Sequence, residues 1–381
     1  MNPQRWSIFC RVIDNFGDVG VCLRLAEELA SKGLAIDFWI DRPEILDWMA
    51  PKLNSNITII FWQDGKIIES PTAFDNESSV NSLENRFSDV IIEAFGCEIP
   101  SLHQRKIAQQ ALNGRQITQW INLEYLSAEA FAENNHGLLS PVLRGAGEGA
   151  HKWFFYPGLS KNTGGLILEN EIRQRISLPT YFETLPQVLN VGLFCYPYAP
   201  LHNLLNTLEE NLALSERNAV VKIPHGETQN WIKQEMTSPL RVGSNSRSRL
   251  EMRYLKPLSQ KEFDEMLWSN DLNFVRGEDS LIRAIWVGKP WVWQIYKQSD
   301  DAHLAKLDAF LNALECPTFI KEIHWKWNHS LGETQFLPNL NDLEKWSQWS
   351  AWCLKIRSKL QDQVDLVSQL MAFVEDKRQK R

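Results

Sequence analysis

Missing from this 381-residue chain is any apolar run of the roughly 18–20 residues that a membrane-spanning helix needs, which excludes a transmembrane role. The opening residues Met1-Asn2-Pro3-Gln4-Arg5-Trp6 lack the long apolar core of a signal peptide. Cysteine is sparse and unpaired in sequence: Cys10, Cys22, Cys97, Cys195, Cys316 and Cys353 form no C-x-x-C motif. They read as reduced packing residues rather than disulfides or a zinc site, and a cytoplasmic location is expected. Basic charge is also short. Forty Lys and Arg stand against 47 Asp and Glu, a formal net charge of −7, with no long basic run inside the chain. No nucleic-acid footprint follows, whereas a small organic ligand or a protein partner with a basic contact point fits. G-x-S-x-G, Walker A, H-E-x-x-H and EF-hand signatures are absent as well.

What is present is globular. Hydrophobic residues at 44% and charged residues at 23% rule out a largely disordered chain, and the length predicts two domains. Trp6 to Ile13 is an apolar run of strand length that ends in the turn Asp14-Asn15-Phe16-Gly17-Asp18. From Val19 to Lys32 the residues Val19, Cys22, Leu23, Leu25, Ala26 and Leu29 recur at helical spacing, Gly33 stops the helix, and Ala35 to Ile40 is the next strand. This βαβ unit predicts a parallel sheet. Asp89 to Ala94 and Gln116 to Ile121 are further strands.

Between Ser140 and Gly165 the glycines and prolines predict an irregular connection, with a domain boundary in or just after it. Its Gly145-Ala146-Gly147-Glu148-Gly149 follows no clear strand and opens no clear helix, so it is not read as a dinucleotide loop. The βα rhythm returns after Leu185. Strands are expected at 188–195, 219–223, 252–255, 272–275 and 291–295, and helices at 201–214, 260–268, 280–287 and 302–314. Asp300-Asp301 reads as an N-terminal cap for the last of these, and Leu343 to Asp376 reads as helix throughout, ending in a solvated basic tail. The domains expected are 1–160 and 161–354, with a helix over about 355–381 packing back on the first.

Two turns carry candidate chemistry. Asp14 and Asp18 stand four residues apart around Gly17, where the first strand hands over to a helix. A role for Asp18 as that helix's cap is the plain alternative. Two carboxylates would repel a phosphate at this helix end, so the turn suits a cationic or proton-bearing group better than a nucleotide. Arg276-Gly277-Glu278-Asp279-Ser280 is the second turn. Gly277 allows close backbone approach, amides near Asp279 and Ser280 suit a phosphate oxygen, and Glu278 and Asp279 can accept from sugar hydroxyls. An Arg–Glu ion pair with a helix cap is the plain alternative. Phe194 and Tyr196 end a strand on the ligand side, while Gln260 and Phe263 open a helix suited to reading a pyrimidine by edge and face. Each aromatic is otherwise simple packing, and His303 reads as structural.

Three segments in order go further: Val12 to Val21 followed by Arg24-Leu25-Ala26, Trp120 to Glu129, and Asp271 to Ser280 continuing through Asp301-Ala302-His303-Leu304. Together they resemble the elongation factor P arginine rhamnosyltransferases over nearly the whole chain. The resemblance implies an α/β fold of GT-B type, two Rossmann-like domains with parallel sheets facing across a cleft. It implies an inverting transfer of L-rhamnose from dTDP-β-L-rhamnose to an arginine nitrogen of elongation factor P. No metal-ligand cluster is visible in the sequence, so no metal or other cofactor is expected, and charge and hydropathy predict no nucleic-acid or membrane partner. By the same resemblance Asp18 matches the general base, Asp14 a second acceptor-side carboxylate and Glu278 a further catalytic residue. Asn15, Phe16, Gly17, Phe194, Tyr196, Gln260, Phe263, Arg276, Gly277, Glu278, Asp279 and Ser280 match the donor side. A nucleotide-sugar epimerase and a non-catalytic sugar-nucleotide sensor are the competing readings.

Overall fold

The computed structural model describes residues 4–12, 16–63, 66–69, 86–177, 185–236, 249–298, 302–329 and 337–379. The chain forms two compact units, one of residues 1–169 with 363–381, the other of residues 170–362.

The first unit holds strands β1 (Arg5–Cys10), β2 (Ala35–Ile40), β3 (Ile57–Gln63), β4 (Lys66–Glu69), β5 (Val90–Ala94), β6 (Gln119–Leu123), β7 (Leu139–Pro141) and β8 (His151–Phe155). They make one sheet in the order β4-β3-β2-β1-β5-β6-β8-β7, parallel except for the antiparallel edge strands β4 and β7. Helices α1 (Gly17–Ser31), α2 (Leu46–Met49), α3 (Ser101–Leu112) and α4 (Ala130–Asn135) connect them. Both faces of the sheet are covered, which is why β1 and β5 are buried almost throughout and mostly apolar instead of alternating. Ile8, Cys10, Ile92 and Leu123 meet α1 on one face; Phe9, Trp39, Ile91 and Trp120 meet Ile107 of α3 on the other.

Several boundaries differ from expectation for visible reasons. Strand β1 stops at Cys10 because the Val12 amide donates to Asp41 Oδ1 at 3.0 Å and leaves the ladder. Strand β6 starts at Gln119, not Gln116, because Gln110 Oε1 takes the amides of both Ile117 and Thr118. The stretch expected to be irregular contains β7 and β8, and Gly145 to Gly149 lies in the turn joining this hairpin.

The second unit has a five-stranded parallel sheet in the order β11-β10-β9-β12-β13. Its strands are β9 (Val188–Leu193), β10 (Asn218–Ile223), β11 (Leu250–Tyr254), β12 (Leu272–Arg276) and β13 (Trp291–Gln294). Around it lie α5 (Asn170–Ile176), α6 (Leu201–Ser215), α7 (Glu227–Met236), α8 (Gln260–Ser269), α9 (Gly277–Val287), α10 (Ala302–Ala313), α11 (Thr318–His329) and α12 (Leu343–Gln361). The chain then returns to the first unit as α13 (Leu366–Gln379).

The single C-terminal helix expected over Leu343 to Asp376 is therefore two helices. Trp346, Trp349, Cys353 and Ile356 bury α12 in the second unit, whereas Leu366, Val367, Leu370 and Val374 bury α13 in the first core. At the crossing, the Leu366 amide donates to Leu166 O at 2.8 Å. Gly165 there has φ +72°, and a Cβ would sit 2.6 Å from Val364 O, so this close approach needs glycine. The basic tail is not simply solvated: Arg378 pairs with Asp89 at 2.8 Å, and Lys377 lies over the Trp153 ring. Asp300 and Asp301 fall outside the described residues, as do Lys380 and Arg381.

Candidate active site

In each sheet the strand order reverses beside the first strand. Chain order runs outward from β1 to β3 and then resumes on the other side with β5; likewise it runs from β9 to β11 and resumes with β12. Open parallel sheets bind ligands outside the carboxyl ends of the strands at this reversal, because the flanking loops diverge and leave a crevice. The turn after β1 and the turns after β9 and β12 are the chain segments at those two points.

In the first unit Asp18 is the second residue of α1 and is 3% exposed. The cap position belongs to Phe16, with φ −116° and no side-chain cap bond, so the capping explanation for Asp18 does not hold. The Phe16 ring meets Trp48 edge-on at 5.1 Å, and Gly17 opens the helix. Asp14 and Asn15 lie outside the described residues. Asp18 sits close to two thiols. Cys10 is raised well above the ordinary thiol range by its hydrogen bond with Cys22, then by burial and the nearby charge of Asp18. Cys22 is raised chiefly by burial. Neither thiol is a nucleophile at neutral pH.

The carboxyl ends of β5 and β6 add acidic groups that sequence reasoning did not single out as a site. Buried Glu93 accepts from Trp120 Nε1 at 2.9 Å and Lys152 Nζ at 3.1 Å. Glu124 accepts from Asn122 Nδ2 at 2.5 Å, and burial raises its pKa. The available signal was a carboxylate inside the apolar run Val90–Ala94, a placement that strand packing alone does not explain.

In the second unit the segment Gly277–Ser280 is the first turn of α9, not a free loop. Arg276 ends β12 and occupies the cap position, and Gly277 starts the helix at φ +65°, a conformation that costs other residues about 1–2 kcal/mol. A helix leaves its first-turn amides without intrahelical acceptors and carries partial positive charge there. Ser280 Oγ donates to Arg276 O, so the hydroxyl braces the turn. The indole N–H of Trp293 donates to Gly277 O at 2.9 Å and fixes the turn from below. Glu278 pairs with Lys306 Nζ at 2.8 Å, and Asp279 is half-buried.

Aromatic side chains after β9 gather around Arg276. Its guanidinium lies over both the Phe194 and Tyr196 rings, 4.6 Å from each centroid, while Nη1 donates to Glu227 Oε2 at 3.3 Å. A largely desolvated contact of this kind contributes on the order of 1–2 kcal/mol. Phe263 meets Phe194 edge-on at 5.4 Å, and Gln260 opens α8 behind a Ser259–Glu262 capping box. Thus Phe194, Tyr196, Phe263 and Arg276 are one cluster, joined through β12 to Gly277–Ser280. The ion-pair alternative holds in changed form, since Arg276 pairs with Glu227 and not with Glu278.

Beneath the cluster, Gln294 Oε1 accepts the Tyr196 amide at 2.7 Å, which orients the side-chain amide. Its Nε2 is buried and has no partner among the described residues. His303 is buried, with Nδ1 accepting the Gln298 amide at 3.3 Å, in keeping with a structural role. Glu227, Gln294 and Lys306 escaped sequence reasoning because each lies on a separate element, without a motif of its own. Among the described residues, no group of three or more His, Cys, Asp or Glu could hold a metal ion, and no helix is long and apolar enough to cross a membrane.

Comparison with known proteins adds the family. Residues 6–375 match the family model described as Elongation-Factor P (EF-P) rhamnosyltransferase EarP. A protein-arginine rhamnosyltransferase of Pseudomonas putida is 36% identical over 329 residues, covering 82% of this chain and 81% of the relative. One from Shewanella oneidensis is 33% identical over 347 residues, covering 86% and 85%. Among solved structures, one reported as the structural basis for EarP-mediated arginine glycosylation of translation elongation factor EF-P superposes with a TM-score of 0.56 at 23% identity, covering 98% of this chain and 99% of that one. Spinosyn rhamnosyltransferase SpnG gives 0.51 at 12% identity, covering 98% and 100%. These two likenesses establish the fold, which is of GT-B type with two parallel-sheet domains. Matched across nearly its whole length, the chain belongs to the EF-P rhamnosyltransferase (EarP) family and is an enzyme, a glycosyltransferase of the protein-arginine rhamnosyl class.

Proposed function

We propose that the donor is dTDP-β-L-rhamnose, that the acceptor is one arginine of elongation factor P, and that transfer inverts the sugar to an α-linkage without a metal ion. The observation that carries the donor half is the first turn of α9, braced by Ser280 and Trp293 beside the Phe194–Tyr196–Phe263 aromatics. A pyrimidine base needs an aromatic face, and a diphosphate needs N–H groups and positive charge. That cluster offers both on adjacent residues. Glu278 and Asp279 are the hydroxyl acceptors beside it. As the glycosidic bond breaks, negative charge grows on the leaving diphosphate, and preorganised helix amides are suited to receive it.

The acceptor half rests on Asp18 and Asp14. An arginine guanidinium stays protonated in proteins and offers no ready lone pair. Carboxylates are needed to orient it, to localise its charge on one nitrogen and to take the proton as the N–C bond forms. Asp18 is the base in this reading. Asp14, four residues earlier in the sequence, is the second acceptor-side carboxylate. A translation factor as acceptor makes a cytoplasmic location the natural one.

Incubation with elongation factor P and dTDP-rhamnose should add one deoxyhexose to the acceptor, read by intact mass and mapped to an arginine. Turnover of the nucleotide sugar without acceptor to a 2-epimer or glycal would favour an epimerase instead. Binding without any turnover would favour a sensor. Calorimetry in the presence of a chelator should show one dTDP-rhamnose site per chain. A requirement for magnesium would contradict the assignment of diphosphate charge to the α9 amides.

A further inference from the structure

We propose that Lys306 is the positioning residue that lets the site tell a sugar nucleotide from the bare nucleotide, by holding the Glu278 carboxylate in one setting. The proposal rests on the donor-site reading above. Lys306 reaches from α10 to the first turn of α9 and places Nζ 2.8 Å from Glu278 Oε1. The two side chains are 25% and 16% exposed, so the pair is screened from water without being sealed from a ligand.

A carboxylate at the second position of a helix is ordinarily held only by the helix's own amides and dipole. Glu278 has in addition a bond from a different helix, and that helix is itself anchored. His303 stands three residues before Lys306, on the same face of α10. Buried there, it accepts the Gln298 amide on the connection that leaves β13. Trp293 of β13 in turn donates to Gly277 O. So β13, α10 and the start of α9 form one braced frame, and Lys306 is the strut that ends on the carboxylate. Vicinal sugar hydroxyls require a carboxylate whose plane is already fixed, because ordering a freely rotating Glu on binding costs entropy. Base and diphosphate contacts do not involve that plane. Loss of the strut should therefore fall on the sugar, not on the nucleotide.

The test uses the full-length enzyme, with Lys306→Met and Lys306→Arg beside the wild type. Melting temperature, dTDP affinity, and kcat and KM for dTDP-rhamnose are measured on each. Lys306→Met should bind dTDP within about twofold of wild type yet lose roughly tenfold or more in kcat/KM for the sugar donor, the scale of one charge-assisted hydrogen bond. Lys306→Arg, which keeps the charge and the donors, should restore most of it. Equal losses for dTDP and the sugar donor would overturn the proposal by assigning Lys306 to the diphosphate. An unchanged kcat/KM in the Met variant would reduce the pair to a surface ion pair. Should Lys306→Met fail to fold, a folded Lys306→Arg that keeps dTDP affinity but not sugar-donor kcat/KM would overturn it too. Wild-type enzyme unable to bind dTDP would instead fail the donor-site reading itself, and this proposal with it.

Discussion

Replacing Asp18 with Asn should lower turnover at least about a hundredfold, the low end for losing general-base catalysis, while the fold and donor affinity persist. The structure sharpens this expectation. Phe16, not Asp18, occupies the cap position of α1, so an Asn at 18 leaves the cap residue itself unchanged. What the substitution does remove is a negative charge in the first helical turn, worth about 0.3–1 kcal/mol and up to ~2 in a partly buried setting. In a unit of this size that amounts to a fall of only a few degrees in melting temperature. Asn is isosteric and still accepts a hydrogen bond from a guanidinium, but it cannot take the proton. The rate should therefore collapse out of proportion to stability. Asp14→Asn should harm the acceptor step in the same way and leave donor affinity alone. Rate, melting temperature and dTDP-rhamnose affinity on the same variants check this, and an active Asp18→Asn enzyme would sink the proposed role.

The parallel-sheet architecture was legible because both sheets are covered on two faces. Their strands then show as mostly apolar runs without strict alternation, as Val90–Ala94 does apart from Glu93 and Leu272–Arg276 apart from Asn273 and Arg276, separated by helices with clear periodicity. Edges were harder. Strand β7 is three residues long and mostly exposed, so it carries no hydrophobic signature, and β8 lies beside a glycine-rich turn that masks it. The break after Gln361 was hidden for a different reason. Apolar spacing continues across it, since both α12 and α13 bury a face, but they bury it in different units. Long-range partnership decides that, and local pattern does not record it.

At the site, residues within one turn were readable, whereas partners from other elements were not. Gly277, Glu278, Asp279 and Ser280 are contiguous, and their composition announces a strand-to-helix turn. Glu227, Gln294 and Lys306 arrive from α7, β13 and α10 and become visible only as bonds to Arg276, Tyr196 and Glu278. The same holds for Asp18. Sequence position made it a plausible cap, and only the backbone at Phe16 placed that role two residues earlier.

Arg283→Met should strongly destabilise the second unit. Arg283 and Asp264 are both buried and joined by two bonds, Nε to Oδ1 at 3.1 Å and Nη2 to Oδ2 at 2.9 Å. Removing the guanidinium leaves a buried carboxylate without its main counter-charge, a loss of about 3–5 kcal/mol. For a domain of this length the melting temperature should fall by roughly 6–20 °C. Replacing both partners, as Arg283→Met with Asp264→Leu, should recover most of that, because an apolar pair of similar volume incurs no desolvation cost. Activity should not recover with it. Asp264 adjoins Phe263 on α8, and Arg283 lies on α9 two residues after Leu281, within a turn of Ser280. The bidentate pair therefore sets the offset between the helix that carries Gln260 and Phe263 and the one that opens with Gly277–Ser280. An apolar contact is not directional and lets that offset slide. The double variant should accordingly melt near wild type yet show a raised KM for the donor. A double variant with wild-type KM would mean that the ion pair serves stability alone, and that close packing around it holds the two helices in register without it.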